Sequence, residues 1–271
     1  MMDFSEIEAR GLVLLGCGRM GSALLSGWIA RGLTPRAATV VEPNPTDWLR
    51  AQGVALNEAL PEAPAVVVLA VKPQMMGAAL PGIARLGGGD TLALSIAAGT
   101  PIAAIEAALG AGTPVVRAMP NTPAALGRGI SAVVGNAAAG EAGLAVAEGL
   151  MSAVGAVVRV ETEAQIDAVT AVSGSGPAYV FHLVEALAEA GATEGLAPDL
   201  AMRLARATVA GSGYLLDHSE DSAADLRAAV TSPGGTTAAA LVHLMDPETG
   251  LPPLMRRAVA AARARARELA Q

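Results

Sequence analysis

Short apolar runs alternate with amphipathic helical stretches through the first 160 residues, and this alternation constrains the fold more than any other feature. The runs are rich in Val and Leu and too short to be globular helices, so they are predicted to be buried strands. Such alternation predicts an α/β domain whose mostly parallel, doubly wound sheet carries helices on both faces. The predicted strands are 12–15, 38–41, 65–71, 91–96, 114–118, 131–134 and 156–160, and the predicted helices include 20–30, 46–52 and 102–109.

The alternation stops after Thr162, and no convincing strand follows. Glycine and proline, which punctuate helices, divide the remainder into helical segments, and the first of these is interrupted at Gly174, Gly176 and Pro177. We therefore predict a sheet domain at 1–162 and an all-helical domain at 163–271. The predicted helices are 164–190, 198–216, 223–229, 236–245 and 254–270.

Composition excludes several classes of function. Hydrophobic residues make up 52% and charged residues 16% of the 271 residues, which predicts a chain with a large core. A net charge of −7 and an aromatic content of 2% argue against nucleic acids and anionic membranes as partners. Cys17 is the only cysteine, and no apolar run approaches the ~20 residues of a bilayer span. With no signal peptide at the start either, we expect a cytoplasmic protein without a metal site.

A glycine-rich turn follows the first predicted strand and opens a helix. It reads Gly16-Cys17-Gly18-Arg19-Met20-Gly21, which is the GxGxxG pattern in the required context. The first glycine makes a tight turn, the second lets the backbone approach a pyrophosphate, and the third lets helix and strand pack closely. The start of the helix attracts phosphate through its free N–H groups. The turn therefore predicts a dinucleotide site, with a purely structural turn as the alternative.

Glu42 ends the second predicted strand, about 20 residues beyond the glycine turn. A carboxylate at this point can accept hydrogen bonds from the adenosine ribose and should repel the additional 2′-phosphate of NADP. The alternative is a solvated acid at a strand end. Arg36 and Arg50 are close enough in sequence to restore binding of that phosphate.

Three other strand ends lie at the carboxyl edge of the predicted sheet, where open α/β sheets bind ligands. They are 70–73, 95–99 and 119–123, and each combines small residues with turn formers. Lys72 is the only lysine among 18 basic residues, which weakens its interpretation as an ordinary surface lysine. The proline-rich ends can equally be turns that bind nothing.

The helical half contains no lysine, and none of its three histidines has an obvious acid–base partner. His182 is expected to be packed, His218 to be solvated, and His243 to lie on a helix surface or in a packing contact. Two segments rich in glycine and hydroxyl groups, 173–179 and 231–237, stand out instead. The second opens a predicted helix, so its N–H groups either bind a carboxylate or are capped by Ser232 or Thr236.

Together these motifs resemble pyrroline-5-carboxylate reductases over nearly the whole chain. The GxGxMG turn, Ala-Val-Lys-Pro, Met-Pro-Asn-Thr-Pro, Ser-Gly-Ser-Gly-Pro-Ala-Tyr and Thr-Ser-Pro-Gly-Gly-Thr-Thr occur in that family's order and spacing. The resemblance implies a Rossmann-type domain followed by a helical dimerisation domain of the 6-phosphogluconate dehydrogenase-like type. It also implies reduction of L-1-pyrroline-5-carboxylate to L-proline, the last step of proline biosynthesis, with hydride from NADPH or NADH reaching the imine carbon.

The resemblance also implies roles for individual residues. Thr237 matches the threonine whose hydroxyl bonds the ring nitrogen, which makes it the expected catalytic residue, and Glu220 matches an acid that precedes the substrate loop. Glu42 stands where many relatives carry Ser, Asn or Arg, so NADH is expected to be accepted at least in part. The substrate carboxylate is expected at Ser232, Gly234, Gly235, Thr236 and Thr237. Cofactor contacts are expected at Gly16, Gly18, Arg19, Met20, Gly21, Asn57, Ala70, Lys72 and Pro73, with Ala97, Ala98 and Asn121 at the nicotinamide end.

Two other functions are weighed against this one. A β-hydroxyacid dehydrogenase would need a lysine on the long helix after the sheet domain, and 164–190 has none. A non-catalytic dinucleotide-binding protein would not need the hydroxyl-rich segment 231–237.

The helical half has more apolar side chains than one thin layer can bury, which predicts a two-fold homodimer through its helices. Intertwined copies that share active-site residues are one form that this dimer can take, and a larger ring of dimers, as in relatives, is another. The side chains that need burial are Val169, Val172, Val180, Leu183, Leu187, Leu204, Val209, Leu241 and Leu244.

Overall fold

The computed structural model describes residues 3–269 and contains one eight-stranded sheet. The strands are β1 Leu12–Leu15, β2 Ala38–Val41, β3 Ala55–Leu56, β4 Val66–Leu69, β5 Leu92–Ser95, β6 Val115–Met119, β7 Gly129–Gly135 and β8 Gly155–Arg159. They lie in the order β3-β2-β1-β4-β5-β6-β7-β8. Every neighbouring pair is parallel except β6 and β7. The predicted α/β sheet is therefore confirmed.

Helices cover both faces of this sheet. Successive residues of a strand point to opposite faces, so Leu12 and Leu14 enter one core while Val13 and Leu15 enter the other. Helices α2 and α6 pack on the first face, and α4 and α5 pack on the second. The sheet is thus doubly wound. The helices of this region are α1 Ser5–Arg10, α2 Arg19–Ala30, α3 Asp47–Arg50, α4 Pro73–Ala79, α5 Ile102–Leu109 and α6 Gly140–Ser152, with 3₁₀ turns at Pro35–Ala37, Leu80–Leu86 and Thr122–Leu126.

The structure differs from the predicted elements at specific points. The strand predicted at 65–71 ends at Leu69, because the chain then leaves the sheet and Lys72 becomes the N-cap of α4. Strand β3 was not predicted, since two residues are too few to show a period. Helix α6 was not predicted either, because its glycine-rich sequence has weak helix propensity.

Beyond β8 the described chain is helical, as predicted. A π-helical segment, Thr170–Gly174, interrupts the helix predicted at 164–190, and Pro177 lies in the first turn of α8. Helix α12 begins at Leu251 rather than at 254, because two prolines are tolerated in a first turn whose N–H groups lack partners anyway. The helices are α7 Gln165–Val169, α8 Gly176–Thr193, α9 Pro198–His218, α10 Ala223–Ala229, α11 Thr236–Leu244 and α12 Leu251–Leu269.

The chain forms two compact units that divide between Gly174 and Ser175. The segment after β8 stays with the sheet because the Glu163 carboxylate accepts hydrogen bonds from the Arg117 guanidinium at 2.6 Å and the Ile102 N–H at 2.8 Å. Ile166 is also buried in the core of the second face. The end of α12, from Ala262, belongs to this first unit too, and the second unit is Ser175–Ala261.

The second unit has only a small core of its own. Helices α8 and α9 pack against each other, and the buried residues of these two helices are three alanines, Ala188, Ala201 and Ala205. Large apolar side chains remain exposed, including Leu183 and Leu204, which are each 49% exposed. Within residues 3–269, none of the helices is both long and apolar enough to cross a bilayer.

Candidate functional site

A cleft of about 700 Å³ opens at the carboxyl edge of the sheet beside β1 and β4. The strand order reverses between these two strands, and open α/β sheets bind ligands at such a reversal. The cleft therefore lies where the sequence predicts a dinucleotide. Its polar lining is Gly16, Gly18, Glu42, Asn44 and Lys72, and its apolar lining includes Val41, Leu60, Val71, Met75 and Ile83.

The three glycines of the 16–21 turn have different surroundings. Gly16 has a φ of +91°, and a Cβ there would lie 2.9 Å from the Ala70 carbonyl oxygen. A Cβ on Gly21 would lie 2.6 Å from the Gly16 carbonyl oxygen, so this glycine is needed for close packing of helix and turn. A Cβ on Gly18 would meet nothing within 4 Å. Nothing in the fold requires glycine at position 18, which fits a position kept bare for an approaching ligand.

The start of α2 offers backbone donors to an anion. Gly18 is the N-cap and provides no side chain to cap the helix, and the first intrahelical bond runs from the Ser22 N–H to the Gly18 carbonyl. The N–H groups of Arg19 and Met20 therefore precede the helical ladder. Arg19 is exposed, and its guanidinium makes no ion pair within residues 3–269, whereas Met20 packs on the core. This end of the helix can hold a pyrophosphate.

Glu42 is held in place rather than freely solvated. Its Oε2 accepts a hydrogen bond from the Cys17 N–H at 2.9 Å, and its Oε1 accepts one from the Asn44 N–H at 2.9 Å. The Asn57 side chain bonds both backbone groups of Glu42, each at 2.9 Å. Asn57, a predicted cofactor contact, does not itself line the cleft. Arg36 pairs with Glu58 at 2.9 Å.

Cys17 lies in the glycine turn and is buried. Burial, and to a smaller extent the charge of Glu42, raises the pKa of its thiol to about 11. Only the thiolate reacts with alkylating reagents, so we expect iodoacetamide at pH 8 to label native protein at least about tenfold more slowly than unfolded protein. Since Cys17 is the only cysteine, the labelling rate reports this residue alone.

The same shift makes stability depend on pH. The thiol pKa lies higher in the folded state than its ordinary value of 9.0, so its contribution to stability is complete below pH 9.0 and is lost as the pH rises towards about 11. Labelling should accelerate over the same interval. Fast labelling of native protein at pH 8 would contradict this assignment.

The strand end at 70–73 contributes two of its three predicted contacts to the cleft. Ala70 and Lys72 line it, while Pro73 begins α4. Lys72 is exposed, and its side chain makes no hydrogen bond or ion pair within the described part of the chain. Its ammonium group is therefore available to a phosphate.

The residues predicted at the nicotinamide end lie at the same edge of the sheet, but they do not line the cleft. The Ala97 N–H donates to the Ser95 hydroxyl at 3.3 Å and shapes the turn after β5, where Ala98 follows. The Asn121 Oδ1 accepts from the Ile130 N–H at 3.0 Å and joins the end of β6 to β7. These bonds hold both turns firmly.

In the second unit, the segment 231–237 forms an uncapped helix start, which we call the 231–237 loop. Gly234 has a φ of +71°, and Gly235 is the N-cap of α11. The alternative of a helix capped by Ser232 or Thr236 is wrong, because no side chain caps it. The first intrahelical bond is from the Ala239 N–H to the Gly235 carbonyl at 3.1 Å. The Gly235 N–H donates to the Ser232 carbonyl at 3.0 Å, and the N–H groups of Thr236, Thr237 and Ala238 are thus the ones free for a carboxylate.

The hydroxyl groups of the 231–237 loop are also available. Among residues 3–269, the Ser232, Thr236 and Thr237 hydroxyls make no hydrogen bond, and Thr237 is half-buried. A Cβ on Gly235 would lie 2.5 Å from the Ser232 hydroxyl oxygen, so a side chain there would force that hydroxyl to move. Glu220 is exposed between α9 and α10, with no hydrogen bond to the loop within the described residues.

The histidines of the helical half lie on the surface of the chain. His182, expected to be packed, is wrongly predicted: its side chain is 79% exposed and its Nδ1 lies 3.0 Å from Glu185. His218 stacks on Tyr214 with ring centroids 3.9 Å apart, and His243 is exposed. Over residues 3–269, no group of three His, Cys, Asp or Glu residues is arranged to hold a metal ion.

The strand order, the glycine turn and the cleft at the reversal define a Rossmann-type dinucleotide-binding protein with a helical second unit. Residues 12–99 match a family model described as NADP oxidoreductase, coenzyme F420-dependent. Residues 163–269 match one described as pyrroline-5-carboxylate reductase dimerisation.

Individual relatives are similar to this chain over nearly its full length. A pyrroline-5-carboxylate reductase from Pseudomonas aeruginosa is 41% identical over 96% of this chain and 97% of the relative. The solved pyrroline-5-carboxylate reductase from Coxiella burnetii has a TM-score of 0.90 at 35% identity, covering 97% of this chain and 99% of that one. The Plasmodium falciparum pyrroline carboxylate reductase, solved with NADP bound, has a TM-score of 0.81 at 27% identity, with coverages of 97% and 99%. The chain therefore belongs to the pyrroline-5-carboxylate reductase family.

Proposed function

We propose that this protein is an NAD(P)H-dependent oxidoreductase that reduces L-1-pyrroline-5-carboxylate to L-proline, in the last step of proline biosynthesis. The observation that carries the proposal is the uncapped start of α11, where free N–H groups and three unbonded hydroxyls stand together in a chain of this family. An amino-acid carboxylate and a ring nitrogen are the groups that such donors and hydroxyls bind.

We assign the substrate's two polar ends to different parts of the 231–237 loop. The N–H groups at the start of α11, with Ser232, Gly234, Gly235 and Thr236, hold the carboxylate, because a helix N-terminus favours an anion. Glu220 contributes negative charge to the substrate side. The Thr237 hydroxyl bonds the ring nitrogen and orients the C=N bond.

The chemistry needs little help from a protein acid. Reduced nicotinamide supplies the hydride when bound, and the ring nitrogen carries the proton that completes the amine. An imine nitrogen is far more basic than a carbonyl oxygen and can arrive protonated, so orientation and one hydrogen bond suffice. The exposed histidines of the helical half support this reading.

The cleft in the first unit suits the dinucleotide. The open space at Gly18 and the N–H groups of α2 would hold the pyrophosphate, with Lys72 as a counter-charge. The apolar lining near Met75 would take the adenine, and Glu42 would accept the ribose hydroxyls. Gly16, Gly21, Ala70 and Pro73 shape this side, and Ala97, Ala98 and Asn121 the nicotinamide side.

The position of Glu42 leads to a prediction about cofactor preference. Its carboxylate should repel a 2′-phosphate, so we expect the kcat/KM for NADH to equal or exceed that for NADPH. Glu42→Ser should shift the ratio towards NADPH about tenfold, which corresponds to ~1.4 kcal/mol, while Glu42→Gln separates the charge from the shape. A strong preference of the unaltered enzyme for NADPH would refute the role assigned to Glu42.

The direct test of the proposed function is oxidation of NADH or NADPH in the presence of pyrroline-5-carboxylate, with proline measured as the product. Turnover of a β-hydroxyacid instead would support the dehydrogenase alternative. Saturable cofactor binding with no turnover of any cyclic imine would support a non-catalytic dinucleotide-binding protein.

We propose that two copies pair through the helical half. Apolar side chains such as Leu183 and Leu204 are about half exposed in the single chain, and covering the exposed half of each gains ~1 kcal/mol. An apolar groove of about 580 Å³ between α8 and α9, lined by Phe181, Met202 and Val209, belongs to this surface. Light scattering distinguishes a dimer from a ring of dimers, and a stable active monomer would rule out both.

We further propose that the enzyme works in the cytoplasm, where fractionation should find its activity.

A further inference from the structure

We propose that Asn57 sets the cofactor preference of this protein without touching the cofactor, by fixing Glu42 in place before any ligand binds. It is a positioning residue: among the described residues its side chain hydrogen-bonds to Glu42 alone, and Glu42 faces the cleft. This inference rests on the proposed dinucleotide site and assigns to Asn57 a role different from the direct contact that the family resemblance implies.

The backbone of Asn57 is unusual in the first place. Its φ of +54° makes it the one residue other than glycine with a positive φ among those that the structure describes. Such a conformation is unfavourable for a residue with a side chain, though less so for asparagine than for most. Some tertiary contact must therefore maintain it.

Three hydrogen bonds provide that contact. The Asn57 N–H donates to the Val40 carbonyl at 2.8 Å, which joins it to the end of β2. Its Oδ1 accepts from the Glu42 N–H, and its Nδ2 donates to the Glu42 carbonyl, each at 2.9 Å. The amide thus pairs with Glu42 as a neighbouring strand would, although β3 has already ended at Leu56. Both backbone groups of Glu42 are thereby fixed.

Fixing the Glu42 backbone also restricts its carboxylate. The two carboxylate oxygens each accept one N–H, from Cys17 and from Asn44. Each oxygen has a second lone pair, which leaves acceptors for the two ribose hydroxyls. The carboxylate is therefore already oriented for an unphosphorylated ribose.

The Glu42 charge can discriminate between NADH and NADPH because the carboxylate is held rigidly. A mobile carboxylate could rotate into solvent and admit a 2′-phosphate at little cost, whereas a fixed one cannot leave and must repel it. Loss of the Asn57 amide should therefore weaken NADH binding, because the ribose acceptors become disordered, and should relieve the penalty against NADPH.

The test is Asn57→Gly, because glycine adopts a φ of +54° readily and removes only the side-chain bonds. Affinities of the full-length protein for NADH and NADPH are measured by calorimetric titration without substrate. We expect the preference for NADH over NADPH to fall about tenfold, chiefly through weaker NADH binding. The matched control Ala59→Gly adds the same backbone freedom two residues away, at an exposed position, and it should leave the ratio unchanged.

Repeating the substitution in Glu42→Gln protein distinguishes a positioning role of Asn57 from its direct contact with the cofactor. In Glu42→Gln protein the charge is already absent, so Asn57→Gly should no longer change the ratio. An equal loss of affinity for both cofactors, an unchanged ratio, or a shift that persists in the Glu42→Gln background would each overturn the inference.

Further results distinguish failure of the proposed function from failure of the role assigned to Asn57. If Asn57→Gly does not fold, Asn57→Ser takes its place, since serine is too short to bond both backbone groups of Glu42. If the unaltered protein binds neither cofactor, the proposed function fails. If the unaltered protein binds both and the variant keeps its ratio, only the role of Asn57 fails.

Discussion

Thr237→Ala is expected to lower kcat for pyrroline-5-carboxylate about 100-fold, the size seen when one preorganised hydrogen bond to the reacting atoms is removed. Cofactor affinity should stay nearly unchanged, because Thr237 lies in the helical unit and the cofactor cleft lies in the sheet unit. Helix α11 should persist, since alanine favours helix more than threonine does. Steady-state kinetics and cofactor titration measure the two quantities separately.

Two variants serve as controls for Thr237→Ala, one at the preceding residue and one at position 237 itself. Thr236→Ala removes the adjacent hydroxyl, which we assign to the carboxylate, so it should raise KM more than it lowers kcat. Thr237→Ser keeps a hydroxyl and should recover most of the lost turnover. A Thr237→Ala enzyme with near-native kcat would remove Thr237 from the mechanism.

Gly18→Ala is expected to weaken the binding of both NADH and NADPH at least about tenfold without lowering the melting temperature. Gly18 has φ −70° and ψ −159°, which alanine adopts without strain, and its Cβ would meet nothing within 4 Å. The new methyl group would instead occupy the space that we assign to the pyrophosphate. Thermal melting and cofactor titration of the same sample separate stability from binding.

Alanine substitutions at two other glycines distinguish a loss of stability from a loss of cofactor binding. In Gly21→Ala the Cβ would lie 2.6 Å from the Gly16 carbonyl oxygen, so this variant should lose stability by ~1–3 kcal/mol as well as binding. Gly77→Ala adds a methyl group on α4 with nothing within 4 Å and should change neither property much. Native affinity for both cofactors in Gly18→Ala would show that the ligand does not approach this position.

Local patterns predicted much of the fold because they depend on near neighbours in sequence. The run at 12–15 is apolar throughout and matches β1, and Ala223–Ala229 matches α10, with Ser222 as a capping residue. The π-helical segment Thr170–Gly174 was not predicted, because it depends on how α7 and α8 are joined. The tight turn at Gly16 and the close packing at Gly21 were predicted, since tight turns and close approaches demand glycine whatever surrounds them.

The candidate site likewise contains residues that local sequence predicts and residues that it does not. Gly18 and Lys72, which line the cleft, were predicted from the sequence because they lie in recognisable segments, whereas the role of Thr237 stays a prediction. The apolar cleft residues Leu60, Met75 and Ile83 were not found, because they come from separate segments that carry no common pattern. The role of Asn57 could not be predicted from local sequence, although its partner Glu42 was singled out.

The sequence by itself determined the doubly wound sheet, the helical second half and the family, because hydrophobic periodicity and glycine-containing motifs are local properties of the chain. Only the tertiary structure decided that the Glu42 carboxylate meets the Cys17 N–H and that Asn57 holds the Glu42 backbone. It also decided that the end of α12 joins the sheet unit. Periodicity shows which face of a segment is buried, but which distant segments meet depends on strand register and packing, which arise only when the whole domain folds.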